Sequence, residues 1–218
     1  MALAIFDLDN TLLAGDSDYL WGQFLVQQAL VDGDWYEKEN QRFYDEYKQG
    51  ELDINEFLTF SLQPLASMDM DRLQELHQQF MTQSIEPILL NKADALLKKH
   101  RQQGDFLLII TATNRFVTTA IAERLGVDDL IATEAEIING RYSGQPTGIP
   151  CFQDGKVKRL NSWLATTGHS MADSWFYSDS HNDLPLLEAV DHPVAVDPDD
   201  TLAQHAEMKG WTVMSLRD

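Results

Sequence analysis

Short apolar stretches alternate with amphipathic segments through most of the chain. Residues 2–6, 106–110, 130–133, 174–178 and 193–196 are predominantly apolar stretches of this kind. Continuous apolar runs of four to eight residues are typical of strands buried on both faces. Between them, apolar residues recur every three or four positions, which predicts helices that pack on a sheet. The pattern therefore predicts an α/β fold, a doubly wound parallel sheet with helices on both faces.

One block interrupts this alternation. Between the first and second apolar stretches the sequence predicts four consecutive helices and no strand, at about 19–31, 35–48 and 53–62 and, starting after Ser67 or Asp69, to about 84. Gly50 and Pro64 stand where the second and third of these helices are expected to end. We therefore predict a helical cap at residues 14–86, inserted after the first strand, and a core formed by residues 1–13 and 87–218.

Polar side chains gather where three of the predicted strands end. Asp7 and Asp9 follow the first strand, Thr111 and Ala112 follow the second, and the sequence Asp-Ser-His-Asn-Asp at 179–183 follows a third. In open α/β sheets, ligands bind beyond the carboxyl ends of the strands. Converging carboxylates need a hard cation, for which Mg²⁺ fits best, while a hydroxyl and backbone amides suit a phosphate.

The aspartate pair by itself leaves two interpretations open. If the extended geometry continues, Asp7 and Asp9 point the same way, and two like charges so close require a cation or a shared proton. Alternatively, the pair is a polar strand end with Asn10 as a helix cap. A lysine near a phosphate would neutralise its charge, and Lys156 and Lys158 are candidates. Residues two apart lie on different faces of a helix, so only one is expected in the site.

Composition and charge narrow the class of protein. The 218 residues carry a formal net charge of -19, which argues against nonspecific binding to nucleic acid or to an anionic membrane surface. Cys151 is the only cysteine, so we expect no intrachain disulfide and no multi-cysteine zinc site. No apolar run approaches the roughly 18 residues of a membrane span, and no secretory leader is visible. A cytoplasmic protein acting on a small molecule fits these observations.

Four sequence motifs, taken together, resemble those of the haloacid dehalogenase superfamily. They are the Asp-Leu-Asp-Asn-Thr sequence at 7–11, the apolar strand ending in Thr111, Lys156 at the start of a helix, and the Asp-x-x-Asn-Asp sequence at 179–183. They occur in the order in which the superfamily has them. The helical block between the first two motifs is similar to the cap of the phosphoserine-phosphatase-like branch, and the first motif has the form found in phosphatases.

The resemblance implies a Mg²⁺-dependent phosphomonoesterase that works through an aspartyl-phosphate intermediate. Asp7 would be the nucleophile, and Asp9 would protonate the leaving alcohol and then activate water. Lys156 would offset the charge between the nucleophile and the phosphate, and it is preferred to Lys158 because the superfamily lysine precedes a helix with an apolar residue at the offset of Leu160.

The same resemblance implies the residues that bind metal and phosphate. Mg²⁺ would be held by the carboxylates of Asp7 and Asp179 and the main-chain carbonyl of Asp9, with Asp183 orienting a metal-bound water. The phosphoryl group would be bound by Thr111 and the amide of Ala112, with Asn182 near it.

The substrate is predicted from Asp16 and from a missing arginine. Asp16 stands nine residues after the nucleophile, where phosphoserine phosphatases carry an acid that binds the substrate amine; the other interpretation is a helix N-cap, and the two roles do not exclude each other. Their cap arginine, which binds the substrate carboxylate, corresponds to about Thr59, and no arginine lies between Arg42 and Arg72. We therefore expect an amino-alcohol phosphate such as histidinol phosphate. Phosphoserine, phosphoryl transfer to another acceptor, and a catalytically idle Mg²⁺- or phosphate-binding module are the alternatives.

Several other residues are weaker candidates. His181 lies inside the fourth motif and could contact the substrate, although a loop side chain is the more ordinary interpretation. Arg42 could contact substrate or be a solvated helix residue, and Trp21 could line the pocket or pack in the core. Cys151 has no base beside it in the sequence and is not expected to be a nucleophile. The remaining histidines, which include His77 and His100, show no metal-binding spacing and are expected at the surface.

Overall fold

The computed structural model describes residues 2–217 as a seven-stranded sheet with nine α-helices. The sheet contains β1 (Leu3–Phe6), β2 (Phe106–Asn114), β3 (Asp129–Ile138), β4 (Arg141–Thr147), β5 (Trp175–Ser178), β6 (His192–Val196) and β7 (Thr212–Met214). The helices are α1 (Ser17–Gln27), α2 (Gly33–Gln49), α3 (Ile54–Ala66), α4 (Met70–Phe80), α5 (Asn91–Gln103), α6 (Arg115–Leu125), α7 (Asp154–Thr167), α8 (Leu184–Leu187) and α9 (Asp200–Lys209).

The strand order places β1 at the point where the direction of winding changes. The strands follow one another across the sheet as β4-β3-β2-β1-β5-β6-β7, and all neighbours are parallel except β3 and β4. The carboxyl ends of β1, β2 and β5 therefore lie side by side. In a doubly wound sheet this is where ligands bind, because the connections leave in opposite directions and open a crevice.

Two apolar clusters cover the two faces of the sheet. Successive side chains of β1 point to opposite faces, so Ala4 and Phe6 belong to one cluster while Leu3 and Ile5 belong to the other. The first cluster continues without a break into the helical insertion, and it includes Trp21 of α1. The insertion is therefore packed against one face of the sheet, and it is not tethered only by its two connections.

The two connections of the insertion run side by side. The backbone N–H of Ala14 donates to the carbonyl of Ile88 at 2.8 Å, and Leu13 forms an antiparallel bridge with Leu89. Within the insertion, α1 and α2 pack so closely that a Cβ on Gly22 would lie 2.6 Å from the side chain of Asn40. The division into a cap at 14–86 and a core at 1–13 and 87–218 stays a prediction.

The element pattern matches the expected α/β class, with local differences. The third helix was expected to stop before Pro64, but α3 runs through it to Ala66, because Pro64 lies in the last turn and is buried with Leu65. A single π-turn at Met81–Ile85 and a 3₁₀-turn at Glu86–Ile88 follow α4. The hairpin at Asn139–Gly140 is longer than predicted, since β3 extends back to Asp129. No helix among residues 2–217 is both long and apolar enough to cross a bilayer.

Candidate active site

Asp7 and Lys156 form a buried ion pair at the end of β1. The backbone N–H of Asp7 donates to Tyr177 O of the neighbouring strand, which fixes the residue beyond the last strand position. Lys156 Nζ lies 2.7 Å from Asp7 Oδ1 and 2.7 Å from Asp183 Oδ1, and only 2% of the lysine side chain is exposed. Buried charges must be paired in this way to offset the loss of hydration. The ammonium is therefore fixed between two carboxylates and cannot swing into solvent.

Thr11 links Asp7 to Asp179. Its hydroxyl lies 3.0 Å from Asp179 Oδ1 and 3.4 Å from Asp7 Oδ2, and it accepts a hydrogen bond of 3.1 Å from the backbone N–H of Asp179. Because a hydroxyl has only one proton, it can donate to only one of the two carboxylates at a time. One oxygen of Asp7 and one of Asp179 therefore converge at the same point, on the side of Asp7 away from Lys156.

Asp9 is held by two donors that come from opposite directions. The backbone N–H of Ser17, at the start of α1, donates to Asp9 Oδ1 at 2.6 Å. The hydroxyl of Thr113 in β2 donates to Asp9 Oδ2 at 2.7 Å. The carboxyl plane of Asp9 is thereby fixed between the sheet and the first helix of the insertion.

A narrow cavity lies between the strand ends and the insertion. Its floor is formed by Asp7, Asp9 and the segment 111–113, and its walls come from α1, α2 and the start of α3. The wall residues are Asp16, Asp18, Tyr19, Asn40, Phe43, Tyr44, Tyr47, Leu52, Ile54 and Phe57. Four of the lining residues are aspartates and none is a lysine or arginine. The cavity therefore combines aromatic and acidic walls, which suits a ligand that carries a cationic group.

The acidic groups of the site titrate abnormally. Burial raises the pKa of Asp7 to about 7, although the nearby ammonium of Lys156 partly opposes this shift. Burial also raises the pKa of Asp9, although the hydrogen bonds from Ser17 and Thr113 oppose the shift. The pKa of Asp179 is raised by burial and by the charge of Asp7. Burial alone would lower the pKa of Lys156, but the carboxylates of Asp183 and Asp7 outweigh it and raise that pKa.

The donor set at Asp7 and Asp179 fits a hard cation. Two carboxylate oxygens converge beside Thr11, and among residues 2–217 no lysine or arginine forms a salt bridge with Asp179. No three His, Cys, Asp or Glu side chains in that part of the chain form a ready-made metal cluster. A cation bound here would have few carboxylate ligands from the protein and would complete its coordination with water, as Mg²⁺ usually does.

The structure places most of the sequence-predicted residues at the cavity and two, Lys158 and Asn182, outside its lining. Asp7, Asp9, Thr111, Ala112 and Asp16 line the cavity, while Asp179, Asp183 and Lys156 adjoin its floor. Lys158 is exposed. Both ends of the Asn182 side chain are engaged elsewhere, since Oδ1 accepts from Gln153 at 3.0 Å and Nδ2 donates to Tyr47 O of α2 at 3.0 Å. Phosphate binding by Asn182 therefore stays a prediction that requires these bonds to rearrange.

Comparison with known proteins identifies the family. The sequence model of the haloacid dehalogenase-like hydrolases matches residues 4–188. The chain belongs to this family. A histidinol-phosphatase from Neisseria meningitidis serogroup C (strain 8013) is 43% identical over 219 residues, which cover 99% of both chains. A phosphoserine phosphatase from Mycobacterium tuberculosis (strain H37Rv) is 28% identical over 221 residues, covering 99% of this chain and 71% of that protein.

Solved structures show the same fold. A Bordetella pertussis Tohama I protein of unknown function is similar over 99% of both chains, with 42% identity and a TM-score of 0.93. A substrate-bound phosphoserine phosphatase has a TM-score of 0.72 at 16% identity and covers 99% of this chain. These findings confirm the predicted haloacid dehalogenase-like fold with an insertion after β1, the phosphoserine-phosphatase-like branch, and the phosphatase class of enzyme.

Four residues that the sequence makes weaker candidates for substrate contact or catalysis lie outside the cavity of this haloacid dehalogenase-like hydrolase. His181 bonds to Asp199 at 2.8 Å and lies against Gly50 of the insertion. Arg42 is paired with Glu39, Glu46 and Glu56 on the outer side of α2. Trp21 is buried among aromatic rings, including Phe24 and Phe80. Cys151 is fully buried, and burial raises the pKa of its thiol to about 12.

Other residues at the hydrolase site were missed by the sequence reasoning. Thr113 contacts Asp9 across 104 positions of sequence, Thr11 links two carboxylates, and Asp18 lines the cavity rather than serving only as a polar residue of the first helical turn. Thr11 carries a signal, since it ends the first motif. Asp18 and Thr113 carry none, because their positions depend on contacts between distant parts of the chain. The expectation that His77 and His100 lie at the surface was wrong, since both are buried.

Proposed function

We propose that the chain is a Mg²⁺-dependent phosphatase that hydrolyses a small amino-alcohol phosphate, with histidinol phosphate as the preferred candidate, through an aspartyl-phosphate on Asp7. One observation carries the proposal: a lysine-paired carboxylate and a second carboxyl group with separate hydrogen-bond partners face one cavity at the ends of the central strands. Two carboxyl groups in different environments can perform different roles in one reaction.

In the first half-reaction Asp7 acts as the nucleophile. A carboxylate oxygen of Asp7 attacks phosphorus as the bond from phosphorus to the ester oxygen breaks. The departing oxygen takes its proton from Asp9, whose raised pKa favours the protonated form. The ammonium of Lys156 and the backbone amide of Ala112, which follows Thr111, offset the negative charge of the phosphoryl group. The products are the free alcohol and phosphorylated Asp7.

In the second half-reaction Asp9 acts as a base. Having lost its proton, Asp9 removes one from a water molecule, which attacks phosphorus and breaks the bond from phosphorus to Asp7. Inorganic phosphate leaves, Asp7 regains its carboxylate, and Asp9 is protonated again, so the atoms and protons balance over the cycle. Ser17 and Thr113 keep Asp9 in one orientation for both proton transfers.

The Mg²⁺ ion would be held by the carboxylates of Asp7 and Asp179 together with the main-chain carbonyl of Asp9 and water. When bound, it would supply positive charge that favours the ionised form of Asp7 and offsets the charge of the phosphate. Asp183 is fixed by Lys156 at 2.8 Å and by the Ser178 hydroxyl at 2.7 Å, so it can orient a water molecule next to the ion without moving itself.

The substrate assignment is supported by the charge of the cavity. Asp16 supplies a carboxylate for an ammonium group, and the lining contains no arginine or lysine that could bind a substrate carboxylate. The residue near the position of the missing arginine, Thr59, is exposed and donates to Asn55 O. A buried carboxylate without a partner is costly, so phosphoserine would bind poorly compared with an amino alcohol that lacks this group. The 43% identity to a histidinol-phosphatase agrees with that preference.

The insertion is suited to close over a bound substrate, because its helices form the walls of the cavity above the strand ends. Such lids exclude water once the substrate is bound.

The nucleophile assignment is tested by Asp7→Asn. The amide cannot form the aspartyl-phosphate, so we expect kcat to fall by about 10⁴-fold or more while the circular dichroism spectrum is unchanged. Asp71→Asn, an exposed residue in the first turn of α4, is the matched control and should retain wild-type kcat. Appreciable turnover by Asp7→Asn would refute the role of Asp7.

The substrate class is tested by a panel of phosphomonoesters assayed with Mg²⁺ and with a chelator. We expect histidinol phosphate to have the highest kcat/KM, followed by phosphoethanolamine, with phosphoserine and sugar phosphates lower. A wide margin in favour of phosphoserine would contradict the substrate argument, and absence of hydrolysis of every ester would contradict the whole proposal. Added acceptor alcohols would reveal a phosphotransferase if phosphate appeared on them instead of in solution.

A further inference from the structure

Asp18 is a buried carboxylate that faces the cavity without a partner. It lies in the first turn of α1, lines the cavity and is 9% exposed. Within residues 2–217, no hydrogen-bond donor and no lysine, arginine or histidine binds its carboxylate, and the only charged groups that influence it are the acids Asp16 and Asp9. Its carboxyl oxygens are therefore available to a ligand in the cavity.

An arrangement of this kind is costly for the free protein. Burial and the neighbouring acids raise the pKa of Asp18 well above its ordinary value, which reflects how poorly the site tolerates a third negative charge. Buried carboxylates are normally paired or replaced by apolar residues. A position in the first turn of a helix does not account for Asp18, because Asp16 already caps α1 by accepting from the N–H of Tyr19 at 2.8 Å.

The walls beside Asp18 suit a cationic or N–H-bearing ring. Tyr19 and Tyr44 lie with their ring centroids 4.8 Å apart, and Phe43 and Phe57, whose centroids are 5.4 Å apart, also line the cavity. Aromatic faces attract cations and stack on planar rings. One oxygen of Asp16 accepts the N–H of Tyr19, so its other oxygen is available to a ligand. Both oxygens of Asp18 are available.

We propose that Asp18 is a specificity-determining residue that binds a second nitrogen base of the substrate, so that the cavity selects phosphomonoesters carrying two basic groups. Asp16 binds the amine nearer the phosphate, and Asp18 accepts an N–H from the more distant group among the aromatic walls. In histidinol phosphate these groups are the amine and the imidazole ring. The inference rests on the proposed function, because it concerns the same cavity and the same reaction.

The test compares the kcat/KM values of two substrates in Asp18→Asn. The ratio compares kcat/KM for histidinol phosphate, with two basic groups, against kcat/KM for phosphoethanolamine, with one. We expect this ratio to fall by about 10-fold, because the neutral amide loses the charge-assisted part of a hydrogen bond that only the first substrate makes. Asp34→Asn is the matched control, since Asp34 is an exposed acid in the first turn of α2, and it should leave the ratio at its wild-type value.

Binding of histidinol without phosphate provides a second measurement that does not depend on turnover. Calorimetry with wild-type protein and Asp18→Asn should show an affinity about 10-fold lower or weaker still in the variant. Thermal unfolding should give Asp18→Asn a Tm equal to or above that of the wild type, because a buried acid beside two other acids is removed. Asp18→Ser serves as the second variant for the same ratio if the amide variant does not fold.

The outcomes separate this inference from the proposed function. If the wild type hydrolyses both esters and Asp18→Asn reduces both kcat/KM values by the same factor, the subsite assignment is overturned and the phosphatase stands. The same holds if the wild type does not discriminate between the two esters. If the wild type hydrolyses neither ester nor any other phosphomonoester, the proposed function itself fails.

Discussion

Single hydrogen bonds decide which of the two motif carboxyl groups can carry a proton. Asp7 is paired with an ammonium, whereas Asp9 is bound by one amide and one hydroxyl and has no cation in contact. Burial raises the pKa of both carboxyl groups, but only Asp7 has an ammonium in contact, which opposes the shift and favours its ionised form, while the donors at Asp9 are neutral. The two roles thus follow from which neighbour each side chain has.

Thr113→Val tests the second donor of Asp9. The substitution keeps the shape of the side chain but removes the hydroxyl that donates to Asp9 Oδ2 at 2.7 Å, so the carboxyl group loses its fixed orientation. We expect kcat to fall by about 10- to 100-fold with KM changed much less. Thr119 is an exposed residue of α6 whose hydroxyl bonds only to its own helix, so Thr119→Val should leave kcat unchanged. Equal kcat values for the two variants would show that Thr113 has no positioning role.

At the residue scale, the sequence predicted which residues belong to the candidate site better than it predicted what surrounds each side chain. Asp7, Asp9, Thr111 and Lys156 could be named because short motifs place them at strand ends and at the start of a helix. The environment of His100 could not be predicted, since it is buried between Asp105 and the hydroxyl of Tyr177, 77 positions away. Periodicity says which face of an element is apolar, but not which polar group is paired across the sheet.

At the scale of elements, the start of α7 is the most constrained part of the site. Gly155 precedes Lys156 directly, and a Cβ at that position would lie 2.0 Å from Pro150 O. Gln153, just before the helix, has a positive φ of 47°. Such backbone strain is found where the surrounding structure holds a functional residue in place. The tight approach of this segment to Pro150 thus sets where Lys156 enters the site.

Gly155→Ala is expected to displace Lys156. The added methyl group overlaps a backbone carbonyl that cannot move freely, so α7 must shift. We expect a loss of about 1–3 kcal/mol in the free energy of unfolding and a decrease in kcat of about 100-fold, the typical result of a 1 Å misplacement. Gly33→Ala in the first turn of α2 is the control, since its nearest neighbour is Val26 Cγ1 at 3.6 Å, and it should be neutral or slightly stabilising. Normal kcat in Gly155→Ala would contradict this account.

Among the elements, strand and helix order was predictable and several boundaries were not. The apolar runs located the strands because buried parallel strands have no polar face. The end of α3 was not predictable from Pro64, since tertiary packing of that proline and Leu65 outweighs its tendency to end a helix. The π-turn after α4 likewise has no sequence signal in this chain.

At the scale of the whole molecule, one apolar cluster joins the sheet to the insertion, and His77 lies inside it. The ring packs against Trp21, Phe80 and Phe116, and its Nε2 lies 2.9 Å from Val117 O, which requires a proton on Nε2. Burial lowers the pKa of His77, so the folded protein binds this proton less readily than the unfolded chain. The two parts of the molecule should therefore separate, or unfold, more easily in acid.

This pH effect can be measured as a difference between wild type and His77→Gln. Its contribution to stability is complete above the unfolded-state pKa of about 6.5 and is lost as the pH falls from there toward the lower pKa of the folded protein. The Tm of the wild type should therefore decrease relative to that of His77→Gln between about pH 7.5 and pH 5. His192→Gln, whose side chain is 40% exposed, is the control. A difference that is constant with pH would exclude this contribution.

The adjacent, antiparallel connections at Leu13 and Leu89 have a consequence for how such enzymes diversify and can be engineered. The groups assigned to bond making and breaking lie outside the inserted helices, whereas Asp16 and Asp18, assigned to recognition, lie within them. Because the chain leaves and returns at adjacent points, a foreign insertion could be grafted there without changing the spacing of the strands. A successful graft would have to bring a backbone amide to Asp9, as Ser17 does, and apolar side chains to cover Ile109 and Val117. Chemistry and substrate choice could then be inherited separately.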